Sequence, residues 1–463
     1  MMRKLIVLTL IILAAACARL SETSEYSISG EVINPGFDHM LLLQGRNADT
    51  IFLQEDGTFE FSDTLDMPGD FYLRFNNKTL PLYLAPWEHL HISFDTEYFP
   101  TSVEFTGSLA KENEFLLQAD AFNREQSSII RKYYEAPPEE YLRVMDSLSK
   151  AENKLLDDFY GENPEMDAAF VESRKILNEF SYYSALLNYE AIHTYYAKVD
   201  SVDLPTDWYA FLDNIELDDP DYIKVPVSLN VINTIINKRI EDDNGMGDDA
   251  WGTVELLEKQ FDYVLTNFES QELINHFLFT NLSTHIDARG TDGAEDLIEQ
   301  FYLVSTDEEE KEAIREKAEE WAHLSRGMPA PEFTLPDING NMVSLADFKG
   351  KYVYIDFWAT WCGPCKIEIP YLEEMAEEYR DKNLEIISIS VDRDKQAWID
   401  MVTEDQPQWL QLHDSIMIND EYLVKYIPTF VLIDREGKII DARAHRPSSG
   451  DLLTDQLNSL EGI

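Results

Sequence analysis

The hydrophobic period of this 463-residue chain changes twice, and no other feature constrains its fold as strongly. Through residues 25–107 apolar and aromatic side chains come in short runs, at 40–43, 71–75, 80–84 and 90–94, separated by the turn signals Asn34-Pro35-Gly36, Asp56-Gly57 and Pro68-Gly69. Strands at that spacing predict a small β-sandwich. Through residues 108–325 the spacing becomes helical: Ile176, Phe180, Tyr183 and Leu187 recur on one face, as do Leu257, Phe261, Val264 and Phe268. Pro137-Pro138, Asn163-Pro164 and the acidic stretch at 242–249 divide this region into several helices, with no fixed repeat period. Its tyrosines, such as Tyr182, Tyr189 and Tyr195, are expected in the core and rim of a helical bundle. Gly327, Pro329 and Pro331 then mark a boundary. Strands and helices alternate across residues 326–463, which predicts an α/β fold with a mixed central sheet. The expected class is a multidomain α and β protein.

At the N-terminus Arg3 and Lys4 precede an apolar-rich run at 5–16. That run is well short of the roughly 20 residues of a membrane span, so residues 1–16 read as a signal peptide. Ala14-Ala15-Ala16-Cys17 resembles the lipobox of bacterial lipoproteins, although Leu13 stands one place earlier than the usual Leu of that pattern. The resemblance implies a lipidated Cys17 at the head of a linker over 17–24, and hence a membrane-tethered, periplasm-facing protein of a bacterial cell envelope. The cysteine count agrees. Lipidation would occupy one of three cysteines and leave a single pair in a compartment where disulfides persist.

With 37 basic against 88 acidic residues, the net charge of -51 repels phosphate backbones, and nucleic acid is excluded as a partner. The acidity belongs to the whole chain, since residues 326–463 carry 13 basic and 25 acidic side chains. A 44% apolar content with 12% aromatics is enough to bury real cores.

The motif with chemistry in it is Trp361-Cys362-Gly363-Pro364-Cys365, where an apolar strand hands over to a helix. Two residues between cysteines at a helix start let the sulfurs close into a disulfide and set the first over the unpaired amides and positive end of the helix. A thiolate is favoured there. Pro364 suits the first turn because its missing N–H has no intrahelical partner to lose. Half of a zinc site and a purely structural disulfide are the competing readings; zinc needs about four ligands, and no further cysteine remains beyond Cys17. No metal is expected, and His89 and His91 on one strand face lack a third ligand nearby.

Residues 327–463 resemble the thioredoxin superfamily, and specifically the tethered thiol-disulfide oxidoreductases of the TlpA and ResA type. Phe357-Trp358-Ala359 before the cysteines, Pro370 in the following helix and Ile427-Pro428-Thr429 match the family's pattern. The resemblance implies a thioredoxin-like fold, no cofactor, and protein thiols or disulfides as substrates. It also implies a membrane thiol carrier as electron donor. In the family the loop matching Ile427, Pro428 and Thr429 carries a cis-proline and guides an incoming peptide beside Trp361, Gly363 and Pro364.

Cys362 is then the attacking sulfur and Cys365 the resolving one. Asp356 interrupts the apolar strand and matches the buried acid that moves protons in thioredoxin, whereas TlpA-type proteins more often carry Asn. Glu368, one helical turn after Cys365, matches an acid that ResA-type proteins keep beside their cysteines. Gly-Pro between the cysteines resembles thioredoxin, a reducing couple near about -270 mV, so a reductant is expected and an oxidant or isomerase is the alternative. A thiol peroxidase of the peroxiredoxin type is a weaker alternative, because Ala359 and Ile355 stand where that family needs Thr and Pro. The stretch His445-Arg446-Pro447-Ser448 lacks the glycine that many family members have at the rim of the site.

Overall fold

The computed structural model describes residues 24–45, 47–244 and 252–463. The expected signal peptide at 1–16 and the lipidation candidate Cys17 lie outside the described residues. The chain divides into two compact units, residues 1–232 and 233–463.

The first unit opens with strands β1 (Glu25–Ile33), β2 (His39–Gln44), β3 (Asn47–Phe52), β4 (Thr58–Thr64), β5 (Gly69–Phe75), β6 (Lys78–Leu84), β7 (His89–Asp95) and β8 (Glu104–Gly107). They form two four-stranded sheets among the described residues, ordered β4-β1-β7-β8 and β3-β2-β5-β6. In β1, β2, β5 and β7 alternate residues point inward, and Ile28, Leu42, Leu73 and Ile92 are fully enclosed, as is Leu80 of β6. Gly30 sits where β1 runs closest to β7: a Cβ there would lie 1.9 Å from the Ile92 carbonyl oxygen. His89 and His91 bond hydroxyls of the neighbouring strand, with His89 Nδ1 2.9 Å from Ser27 Oγ and His91 Nδ1 3.0 Å from Ser29 Oγ.

Helices α1 (Ala110–Ile130), α2 (Pro138–Glu162), α3 (Ala168–Leu187) and α4 (Tyr189–Ala197) follow. Asn113 fixes α1 to the sheet by accepting from the Tyr83 N–H at 2.9 Å and donating to the Tyr83 carbonyl at 3.0 Å. In α3 the enclosed residues are Phe170, Val171, Arg174, Ile176, Phe180 and Leu186. Tyr183 and Leu187 of the expected face are only half-buried.

Helix α5 (Pro226–Asn244) carries the chain into the second unit, which continues with α6 (Val254–Asn267), α7 (Gln271–Arg289), α8 (Glu295–Val304) and α9 (Glu308–Trp321). Leu273, Phe277, Leu278, Leu282 and Ile286 of α7 are fully enclosed and make it the core helix of this group. A short hairpin, β9 (Thr334–Pro336) and β10 (Met342–Ser344), turns at Asn339-Gly340.

Then come β11 (Tyr352–Trp358), α10 (Gly363–Glu378), β12 (Leu384–Ser390), α11 (Lys395–Asp405), β13 (Leu410–His413), α12 (Ile418–Glu421), β14 (Thr429–Ile433), β15 (Ile439–Asp441) and α13 (Asp451–Asn458). The sheet order is β13-β12-β11-β14-β15, with β11 central, parallel to β12 and antiparallel to β14. This is the thioredoxin-like arrangement. All seven residues of β11 are buried, which is why it reads as an apolar run broken only by Asp356.

The segment leading from α9 into the sheet is tied down. Gly327 N–H donates to the Ile439 carbonyl at 2.7 Å and Ala330 N–H to the Gly437 carbonyl at 2.9 Å. Arg443 donates to the carbonyls of Tyr422, Leu423 and Ala442 and lies over the ring of Trp321 at 4.5 Å.

Candidate active site

The central strand delivers the site. β11 ends at Trp358, and the chain turns through Ala359, Thr360 and Trp361 to enter α10. Cys362 is the N-cap of that helix, and its Sγ accepts from the Cys365 N–H at 3.1 Å. This is the polarity expected at a helix start, where unpaired amides favour negative charge on sulfur. Cys362 and Cys365 are joined as a disulfide with Cα atoms 5.3 Å apart. Both are buried, at 4% and 3% exposure, so access alone does not rank one sulfur above the other.

Pro364 occupies the first turn and Pro370 lies inside the helix. Trp361 stands 71% exposed beside the pair, with Gly363 and Pro364 also at the surface. On the other side of the sulfurs the Ile427–Pro428 peptide is cis, and the Ile427 carbonyl oxygen is 3.7 Å from Cys362 Sγ. Thr429 anchors this loop by donating its hydroxyl to the Tyr426 carbonyl at 2.6 Å.

Asp356 lies beneath the pair on β11, 4% exposed. Ser388 on the adjacent β12 donates to its Oδ2 at 2.7 Å and in turn accepts from Trp409 Nε1 at 2.8 Å. Burial pushes the Asp356 carboxyl from 3.8 up to about 7; the nearby Glu368 adds to that rise and the Ser388 hydroxyl opposes it. Asp356 and Cys365 line one cleft of about 20 Å³, with Trp358, Leu372, Ser388 and Trp409. That is room for a single water.

Glu368 is equally buried but differently employed. Its carboxylate accepts from the Ser448 N–H at 2.9 Å and from the Ser448 hydroxyl at 2.8 Å, which ties α10 to the rim loop. Ser448, in the stretch that lacks the family's glycine, is thereby held against Glu368. A second bracket also escaped the sequence reading: Asp392 accepts from the Thr360 N–H at 2.9 Å, the Thr360 hydroxyl at 2.7 Å and the Ser390 hydroxyl at 2.8 Å. It holds the turn that presents Cys362. The only signal for it was an acid two residues past the end of an apolar strand. Among the described residues no group of three or more His, Cys, Asp or Glu is placed to hold a metal ion.

A disulfide-forming cysteine pair at the head of the helix after the central strand of this sheet defines an oxidoreductase domain. Residues 325–455 match the Redoxin family. Through this domain the chain belongs to the thioredoxin-superfamily thiol-disulfide oxidoreductases related to ResA. It is 35% identical over 116 residues to the thiol-disulfide oxidoreductase ResA of Bacillus anthracis, a match covering 25% of this chain and 67% of that protein. For ResA of Bacillus subtilis (strain 168) the identity is 36% over 118 residues, covering 25% and 66%. The chain thus spans about two thirds of the length of these curated relatives. The thioredoxin domain of a thiol-disulfide oxidoreductase from Bacteroides vulgatus is similar at 36% identity, over 29% of this chain and 97% of that one, with a TM-score of 0.27.

Proposed function

We propose that this protein reduces disulfides of cell-envelope proteins by dithiol exchange, with Cys362 attacking and Cys365 resolving. The observation that carries the reading is the placement of Cys362: it caps α10, accepts from the Cys365 N–H and lies 3.7 Å from the carbonyl that precedes cis-Pro428. In the reduced protein the Cys362 thiolate attacks one sulfur of a substrate disulfide, and the other leaves as a thiolate. A mixed disulfide forms. Cys365 then gives up its proton to Asp356 across the shared cleft and attacks Cys362 Sγ, and the second substrate sulfur leaves. Substrate gains two electrons and the protein ends as the Cys362–Cys365 disulfide.

Glu368 holds the rim loop through Ser448, while Trp361, Gly363, Pro364, Ile427, Pro428 and Thr429 frame the sulfurs for an incoming polypeptide. Returning the pair to its dithiol form needs a two-electron thiol donor, for which a membrane thiol carrier is the reading. A lipid on Cys17 would keep the site beside such a donor. No helix among the described residues is long and apolar enough to cross a membrane.

The test is trapping. A Cys365→Ala variant of the full chain should accumulate mixed disulfides through Cys362 that a Cys362→Ala variant does not, and absence of any trapped species would overturn the reading. Redox titration of the full chain checks the direction, since a potential above about -180 mV would make it an oxidant or isomerase. Mass spectrometry of the membrane fraction checks Cys17: an unmodified N-terminus found only in the soluble fraction removes the tether.

A further inference from the structure

Beside the redox pair, on the Pro428 side, runs a groove of about 410 Å³. One wall is the cis-proline loop and strand β14, and another is the rim loop carrying His445, Arg446 and Ser448. The third comes from outside the thioredoxin-like fold: Asp287, Ala288 and Arg289 at the end of helix α7. The groove adjoins the redox centre at Pro428, which lines it and whose preceding carbonyl lies 3.7 Å from Cys362 Sγ.

Its charge runs against that of the chain. Arg289, Arg443, Arg446 and Lys425 face it, with Asp287 as the one carboxylate on its walls. Asp287 is already taken up by Lys425 at 2.7 Å and by Lys317 at 2.6 Å. Arg443 is held by backbone carbonyls and Trp321, and Arg289 Nη1 by the Arg443 carbonyl at 3.1 Å. Carbonyls orient a guanidinium without neutralising it. Among the described residues no carboxylate forms an ion pair with Arg289, Arg443 or Arg446, and Arg446 is exposed. Asp441 acts on Arg289 and Arg443 only through longer-range attraction. Among its described residues, a protein of net charge -51 therefore keeps a cluster of arginines without ion-pair partners in the groove that adjoins its reactive cysteine. Burial and Arg289 hold the His445 imidazole below its usual pKa, so it is neutral near pH 7 and adds hydrogen bonding in place of charge.

We propose that this groove selects substrates by charge, receiving an acidic stretch of the polypeptide that carries the target disulfide, with Arg446 and Arg289 meeting its carboxylates. The inference rests on the dithiol-exchange reading above and gives helix α7 a part in it. The arginine fork matches carboxylates in pairs, and focusing by a concave wall concentrates the local field. The sign is informative. The chain as a whole would favour basic peptides, so a preference for acidic ones must come from a local site.

The experiment uses the full chain and three peptides with one identical intramolecular disulfide, flanked by Glu, by Lys or by neutral residues. Starting from reduced protein at low ionic strength, the Glu-flanked peptide should be reduced roughly five- to tenfold faster than the neutral one, the scale of one or two exposed charge pairs in contact. The advantage should fade as salt shortens the screening length. The double variant Arg289→Glu/Arg446→Glu should invert the order in favour of the Lys-flanked peptide, which a merely structural role for these arginines would not do. Equal rates for all three peptides with the native chain, or a native preference for Lys, would overturn the proposal. Binding of S-methylated, disulfide-free versions to the oxidised chain, read by fluorescence anisotropy, separates this proposal from the reading beneath it. Tighter binding of the Glu-flanked peptide without reduction of any peptide would leave the charged groove standing and overturn dithiol exchange. Reduction with no charge preference in rate or binding would do the reverse.

Discussion

Replacing Asp356 with Asn should stabilise the thioredoxin-like fold at alkaline pH and lose that effect in acid. In the folded chain the carboxyl is raised from 3.8 to about 7, chiefly by burial. Its folded value thus lies above its unfolded one, so the stability it contributes is fully present below the unfolded value and is lost as pH rises through about 7. At about 1.36 kcal/mol per pH unit this amounts to roughly 4 kcal/mol, the cost of holding a buried carboxylate at high pH. Asn carries no charge and keeps an oxygen for Ser388, but its amide N–H groups are left short of partners, which costs about 1–3 kcal/mol. The variant should therefore gain a few kcal/mol on the wild type between about pH 4 and pH 8, and the change across that window is the quantity to measure. A chain of two units need not unfold in one step. Urea titration read by hydrogen-exchange mass spectrometry on peptides from β11 and β12 isolates the relevant transition. A difference between variant and wild type that stays flat across the window would mean that the carboxyl is not raised, and the proton-acceptor role would fall with it.

Other perturbations test neighbouring parts of the site. In the reduced protein, iodoacetamide near neutral pH should label Cys362 before Cys365; because both are nearly equally buried, the order reports thiolate character, and faster labelling of Cys365 would reverse the assignment. Ser448→Ala leaves Glu368 only a backbone N–H and should cost about 1–2 kcal/mol, seen as faster exchange in the first turns of α10; unchanged protection there would refute the clamp. Arg443→Ala removes three bonded carbonyl contacts and the contact with Trp321, and should destabilise the second unit by about 3 kcal/mol in the same urea titration; a loss under about 0.5 kcal/mol would show the contact to be incidental.

The parts legible in the sequence were those whose signals are local. β11 announced itself as an apolar run, Asp356 as the interruption in it, and the cysteine pair as a strand-to-helix handover. What could not be read depends on partners far along the chain. Ser388 meets Asp356 across 32 residues, and Ser448 meets Glu368 across 80. Edge strand β13 carries a weaker signal of its own: it is four residues long and alternates apolar with polar side chains, yet Gln411, Leu412 and His413 are all buried. Near the end of α3 Leu186 is enclosed and Leu187 only half-buried because Leu186 packs with Tyr141, Tyr189 and Trp208, partners that helical spacing alone does not reveal. The arginines around Pro428 are dispersed from 289 to 446 and show no basic stretch; only folding assembles them.

The contact between Arg443 and Trp321 bears on where this chain can be cut. A gene fragment opening at Gly327, at the glycine- and proline-marked boundary, would keep both cysteines and the whole five-stranded sheet. It would also lose the indole that covers Arg443 and the end of α7 that walls the Pro428 groove. Such a fragment could exchange disulfides with any small thiol and still misreport what the parent protein prefers. Comparative kinetics on this chain therefore call for expression boundaries placed ahead of Val254, so that α6 to α9 travel with the cysteines.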